Sequence, residues 1–272
     1  MQFAKLLKKM LEIATPVSHL FEDPANAKEI IKNSDCLEIR LKTANLNFEK
    51  EFLFHVDKDI TLPWNKMFKD FFLKIIKKKK KLKLITFQST RCCEGEKILN
   101  ERFQLSGTLF SKKKMLFFAK KNIQWLKKNI KKDIKIGIEN NNYYPEPAYN
   151  IITEGSFISE IVTKNKIFLL LDLAHAFITA YNKKINFDKY LNSLPLGRTI
   201  QIHLVSSKIK KFAKRKIAID THDLPSQKNF ELVNKILKKY PSIQYLTIEY
   251  YKDTEKLIKS IKKLKNSIKE IN

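Results

Sequence analysis

Short, continuous apolar runs alternate along this chain with longer stretches whose apolar residues fall three and four apart. The runs at 16–20 (the least regular), 36–41, 52–56, 82–87, 134–139, 167–172, 199–204 and 245–250 predict strands. They are unbroken rather than alternating, as expected of parallel strands covered on both faces. The stretches at 64–78, 112–131, 156–162, 229–239 and 254–268 predict amphipathic helices. Ser156, with Ser159 and Glu160, gives an imperfect capping box, and Asp253 and Thr254 are caps for the last helix. Eight strands, each followed by a crossover, predict a TIM-type (β/α)8 barrel of the α/β class. No Pro/Gly/Ser-rich linker divides the 272 residues, so one domain spanning 1–272 is expected.

The polar residues in and beside these runs change the picture. The segments FLFHVD, IGIENNNYY, LLLDLAHA, IQIHLVSS, IAIDTHD and LTIEYY supply His55, Glu139, Asp172, His175, His203, Asp220, His222 and Glu249. A polar group at the end of a buried strand is costly unless something pairs it. Half imidazole and half carboxylate, the set suits zinc, iron or manganese better than calcium or magnesium. Asp172 and His175 form Asp-x-x-His where a strand gives way to a helix; the plainer reading is that Asp172 only caps that helix. Asp220 and His222 form Asp-x-His in an extended segment, where alternate residues point the same way. Glu139 and Glu249 each close a strand, and His55 and His203 are each equally explained as a singly hydrogen-bonded core histidine. In a barrel, all of these strand ends open on one face.

The formal charge of +26 invites a polyanion partner, but nearly all of it is lysine spread over the whole length. Arginine, the better reader of bases and phosphates, is scarce. Nucleic acid is therefore a weak expectation, and the run 77–81 reads as the solvated end of a helix. Cys36, Cys92 and Cys93 are odd in number and lack a Cys-x-x-Cys, which argues against a disulfide scaffold or structural zinc site. Cys92 and Cys93 read as a buried, inert pair, and His19 as structural or as a support for a ligand. The first residues break their apolar positions with lysines, unlike a signal peptide. No run reaches the ~20 apolar residues of a membrane span. The expected location is cytoplasmic, with no membrane association.

The ordered segments IENNNYYPEPAYN, LLLDLAHAFITAYN, a strand carrying Ile-His, IDTHDLP and TIEYYKD resemble the multinuclear non-heme iron-dependent oxidative enzymes. This family includes the iron oxidase of methanobactin biosynthesis and lies within the xylose-isomerase-like barrels. The resemblance runs from about Cys36 to Glu249 and is strongest from Glu139 onward. It implies two or three irons held by His55, Glu139, Asp172, His203, Asp220, His222 and Glu249, with His175 at a place where many relatives carry Asn. It also implies oxygen-dependent oxidation of a residue, often cysteine, in a ribosomally made precursor peptide, in natural-product biosynthesis. A separate leader-recognition protein is the implied partner. One departure is Gln88, where relatives would be expected to carry a metal-binding histidine after the fourth strand. Asn140, Asn142, Tyr143 and Gln88 are candidates to orient the ligands by hydrogen bonds.

The same layout resembles endonuclease IV, whose order of His, Glu, Asp-x-x-His, His, Asp-x-His and Glu is close. The rival expectation is thus a zinc phosphodiesterase acting on abasic DNA. A third is a metal-dead module that binds an acidic peptide through its lysine-rich face.

Overall fold

The computed structural model describes residues 11–212 and 215–269. The lysine-broken residues 1–10, on which the reading of the N-terminus rests, lie outside that span. The described strands are β1 (Glu12–Pro16), β2 (Cys36–Ile39), β3 (Glu51–Asp59), β4 (Leu84–Gln88), β5 (Ile98–Leu99), β6 (Arg102–Phe103), β7 (Lys135–Glu139), β8 (Phe168–Asp172), β9 (Thr199–Leu204), β10 (Ser206–Phe212), β11 (Arg215–Asp223) and β12 (Tyr245–Ile248). The α-helices are α1 (Pro24–Asn33), α2 (Lys66–Lys78), α3 (Lys112–Asn129), α4 (Gly155–Asn165), α5 (Leu173–Lys183), α6 (Phe187–Ser193), α7 (Gln227–Lys239) and α8 (Thr254–Lys269).

Eight strands close a parallel barrel in the order β1-β12-β9-β8-β7-β4-β3-β2. This is the (β/α)8 architecture that the apolar runs predict. The outward-facing residues of the strands, among them Phe54, Val56, Ile85, Phe87, Ile138, Leu169, Leu171, Ile202 and Ile248, join the helices in one large core. A smaller cluster of Ala14, Cys36, Leu53, Leu84, Ile200 and Tyr245 packs separately. Burial on both sides explains why the strands read as unbroken apolar runs.

Stepping two residues along a strand keeps a side chain on the same face. From Cys36, Leu53, Leu84 and Tyr245 such steps lead to Glu38, His55, Thr86 and Thr247, and then to Arg40, Asp57, Gln88 and Glu249. The barrel interior thus turns from apolar to polar toward the C-terminal ends of its strands. Gly137 on β7 lies opposite Thr86 on β4. A Cβ at Gly137 would come 3.0 Å from the Thr86 methyl, so glycine leaves room for a threonine that the site uses.

Several expectations need correction. The first strand is Glu12–Pro16, not 16–20, and His19 lies exposed in a short 3-10 turn after it. Ser156 caps nothing: α4 starts after Glu154, with no side-chain cap bond. Asp253 does cap α8, accepting from the Lys256 amide at 2.8 Å. Within the lysine run, Lys79 turns inward, and its Nζ sits 2.6 Å from Glu51 Oε2 with both side chains buried. The β10–β11 hairpin, unforeseen as a pair, stands outside the barrel sheet. Among the described residues, no helix is long and apolar enough to cross a membrane.

Candidate metal centre

His55, Glu139, Asp172 and His203 come from β3, β7, β8 and β9, and Glu249 directly follows β12. Parallel closure brings them to one mouth. His203 Nδ1 lies 3.3 Å from both Glu139 Oε1 and Glu249 Oε2, and 3.9 Å from Asp172 Oδ2. His55 Nε2 lies 3.5 Å from Glu139 Oε2. His175, in the first turn of α5, places Nδ1 3.8 Å from Glu139 Oε1 and Nε2 3.4 Å from Asp220 Oδ2.

Asp220 and His222 arrive on the hairpin. Their side chains meet, with His222 Nε2 3.5 Å from Asp220 Oδ2 and 3.8 Å from Glu249 Oε1. They do not meet by regular strand alternation, because His222 has a left-handed φ of 44°. A non-glycine residue there is uncommon, and such outliers gather at functional sites. His222 is also the most open member of the set, with its side chain 39% exposed. The hairpin is tied to α5 by Asn182, which donates to Ala218 O at 3.0 Å and accepts from Ala218 N at 2.9 Å.

Asp172 has two separate tasks. Its Oδ1 accepts from the His175 amide at 2.7 Å and so caps α5. Its Oδ2 is buried and has no hydrogen-bond partner among the described residues, as is also true of His203 Nδ1. Two groups of ligand atoms lie within 4.8 Å of one another: Glu139, Asp172 and His175, and Asp172, His203 and Glu249. They share Asp172. Buried orphan donors of nitrogen and oxygen type, converging with carboxylates, fit a divalent transition metal.

The surrounding hydrogen bonds sort the supporting residues. Asn140 donates to Asp172 O at 2.9 Å and accepts from Asp172 N at 2.8 Å, while its carbonyl lies 3.0 Å from His175 Nδ1. It fixes both members of the Asp-x-x-His pair. Thr86 Oγ1 and Gln88 Nε2 lie 2.9 Å and 3.2 Å from the two ring nitrogens of His55. Asn142 and Tyr143, expected to orient ligands, make no direct hydrogen bond to a candidate ligand among the described residues. Among the described residues the Asn142 amide reaches Tyr144 Oη, and the Tyr143 amide donates to Thr179. It is Tyr144, the next residue, whose hydroxyl meets the Asp220 amide at 3.4 Å. Cys92 and Cys93 are buried, and burial pushes the Cys92 thiol up, away from reactivity.

Besides Thr86 and Tyr144, sequence reasoning missed Glu38 and Arg40. Glu38, fully buried on β2, lies with Oε2 3.0 Å from His203 Nε2 and also accepts from Gln201. Arg40, two residues on, places Nη2 2.8 Å from Glu38 Oε1 and 2.6 Å from Glu249 Oε1. The signal was present: CLEIRL is an apolar strand that carries charges, like the segments that were singled out.

Burial alone would raise the Glu139 carboxyl, but His55, His203 and His175 more than offset it and hold it at about 2. For Glu38 the same opposition is won by His203 and Arg40, again at about 2. Asp172 goes the other way, raised to about 7 by burial, with Glu139, Asp220 and Glu249 adding to the shift against the pull of His175. Burial opposes charge on His203, yet Glu38 and Glu249 draw its pKa well above the ordinary value. The negative field that favours a proton at this mouth favours a metal cation for the same reason.

Fold and site together define a (β/α)8 barrel with a buried histidine–carboxylate cluster at the C-terminal mouth. Residues 107–271 match the family described as RiPP precursor modification enzyme MbnB/TglH/ChrH, and the chain belongs to that family. A UPF0276 protein of Vibrio parahaemolyticus is 34% identical over 91 residues, 34% of this chain and 32% of its own length. A UPF0276 protein of Psychromonas ingrahamii is 31% identical over 124 residues, 45% of this chain and 44% of its own. The chain thus spans about a third of the length of the first of these curated relatives. Among solved structures, an L-ribulose 3-epimerase superposes with a TM-score of 0.58 at 11% identity, covering 96% of each chain. A xylose isomerase-like TIM barrel protein from Mycobacterium smegmatis gives 0.56 at 8% identity, covering 96% of this chain and 97% of its own. At such low identity these likenesses show the fold alone.

Proposed function

We propose that this protein is an iron-dependent, oxygen-consuming enzyme that oxidises a residue, often a cysteine, of a ribosomally made precursor peptide. The family supports peptide modification. The metal reading is carried by one observation: two triads of buried and half-buried ligand residues share Asp172, whose Oδ2 has no hydrogen-bond partner among the described residues.

On this reading Glu139, Asp172 and His175 hold one ion, and Asp172, His203 and Glu249 a second. His55, Asp220 and His222 complete the cage from its two sides. Iron bound there supplies the redox chemistry with dioxygen. The chain's own residues supply geometry. Glu38 fixes the His203 ring through Nε2 and leaves Nδ1 directed at the acids. Asn140 sets the Asp172 backbone and the His175 ring. Thr86 and Gln88 hold His55. The buried strand ends exclude water on the barrel side, and the exposed edge of His222 marks the side from which a peptide would approach. A leader-recognition protein would deliver that peptide.

The test is elemental analysis of anaerobically purified protein, followed by oxygen uptake with any short cysteine-bearing peptide found encoded beside its gene. Stoichiometric iron with peptide-dependent uptake supports the reading. Zinc with cleavage of abasic duplex would replace it with the hydrolytic rival. No retained metal would leave a binding module.

A further inference from the structure

Arg40 brings a permanent cation to the centre. Arg40 Nη2 sits 2.6 Å from Glu249 Oε1 and 2.8 Å from Glu38 Oε1, and the Arg40 side chain is only 14% exposed. The Tyr251 hydroxyl donates to the same Glu249 Oε1 at 2.7 Å. That oxygen is therefore engaged twice by the protein, with His222 Nε2 beyond hydrogen-bond reach at 3.8 Å, while Glu249 Oε2 faces His203 Nδ1. On the far flank Gln88, a neutral amide, closes against His55.

The geometry points to Arg40 as a built-in substitute for a metal ion: its guanidinium takes the place, at the Glu38–Glu249 end of the mouth, that a further divalent cation would fill. This rests on the metal reading proposed above and deepens it by limiting the centre to two ions. The charges agree. Five carboxylates line the centre: Glu38, Glu139, Asp172, Asp220 and Glu249. Two divalent ions and one guanidinium balance five negative charges. A third divalent ion beside Arg40 would leave an excess of positive charge in a buried site, which is costly. Asp57, 4.0 Å from Arg40 Nη1, is half-exposed and screened by solvent, so it adds little to this balance. Arginine suits the role because it stays charged and donates in a fixed planar fork. Arg40 acts through the carboxylates it holds and is a positioning residue.

The test is the number of ions per chain. Full-length protein stripped by a chelator is titrated anaerobically with ferrous ion and separately with zinc, and the bound metal is measured after gel filtration. Wild type should saturate at no more than two ions. Arg40→Met and Arg40→Gln should each take up one more, because Glu38 and Glu249 are released. Arg40→Lys, which keeps the charge, should match wild type. Circular dichroism shows whether the barrel is intact, and Arg40→Gln serves if Arg40→Met fails to fold. Three ions on the wild type, or equal nonzero ratios in wild type and Arg40→Gln, overturn the role of Arg40 while leaving the metal centre standing. A wild type that retains no ion overturns the metal centre and this inference with it.

Discussion

Glu38 Oε2 and His203 Nε2 lie 3.0 Å apart, both side chains wholly buried, on strands separated in the barrel order by β12 and β1. A carboxylate behind an imidazole fixes the ring's tautomer and orientation and strengthens its other nitrogen as a ligand. Glu38→Gln should therefore weaken metal binding about 10- to 100-fold while the barrel stays folded. Competition against a chromophoric chelator measures this. Unaltered affinity would show that Glu38 serves only packing.

Asp172 lets capping and ligation be separated. Asparagine caps helices about as well as aspartate, whereas alanine costs about 1 kcal/mol. Asp172→Asn should keep the melting temperature close to wild type and lose most bound metal, since both triads share this carboxylate. Asp172→Ala should lose the metal and lower the melting temperature as well. Full metal content in Asp172→Asn would contradict the shared-ligand geometry.

Asn182 clamps the hairpin through two hydrogen bonds to Ala218. Each is worth about 1 kcal/mol. Asn182→Ala should speed amide exchange across β10 and β11 and lower metal affinity, with the barrel strands still protected. Exchange that rises equally everywhere would point to a global effect instead.

Lys79 and Glu51 form a buried ion pair at 2.6 Å. Removing one partner strands the other charge, which costs about 3–5 kcal/mol. Lys79→Met should be destabilised by that amount in urea titration. Lys78→Ala, one residue earlier and exposed, should change stability by no more than about 0.5 kcal/mol.

Most of the barrel was legible because burial on both faces leaves runs of Ile, Leu and Phe in β3, β4 and β8, and Ile or Leu at alternate positions in β2, β7, β9 and β12. The first strand, EIATP, was not: five residues holding an acid, a threonine and a proline show no such run, and its place is set by pairing with β2 and β12. The candidate site was legible where an acid or histidine interrupts an apolar run, as at Glu139 and Asp172. Glu38 and Arg40 carried the same signal, but as a neighbouring pair of opposite charges they pass for an ordinary ion pair. The hairpin was hidden by lysines: KIKKFAKRKI is too charged to read as paired strands, because little of its ladder beyond Ile217 and Ala218 enters the core. Asn142 and Tyr143 were expected beside the ligands from their adjacency to Glu139, but the loop turns their hydrogen bonds toward Tyr144 and Thr179.

Asp220 and His222 ride on a hairpin whose ladder joins no barrel strand. The β-barrel can close and bring its own acids and imidazoles together first, while the outlying arm docks afterwards against α5. A chain caught between these two events would have a finished scaffold and a half-built cage, so maturation of the centre would be timed by the arm and not by the barrel.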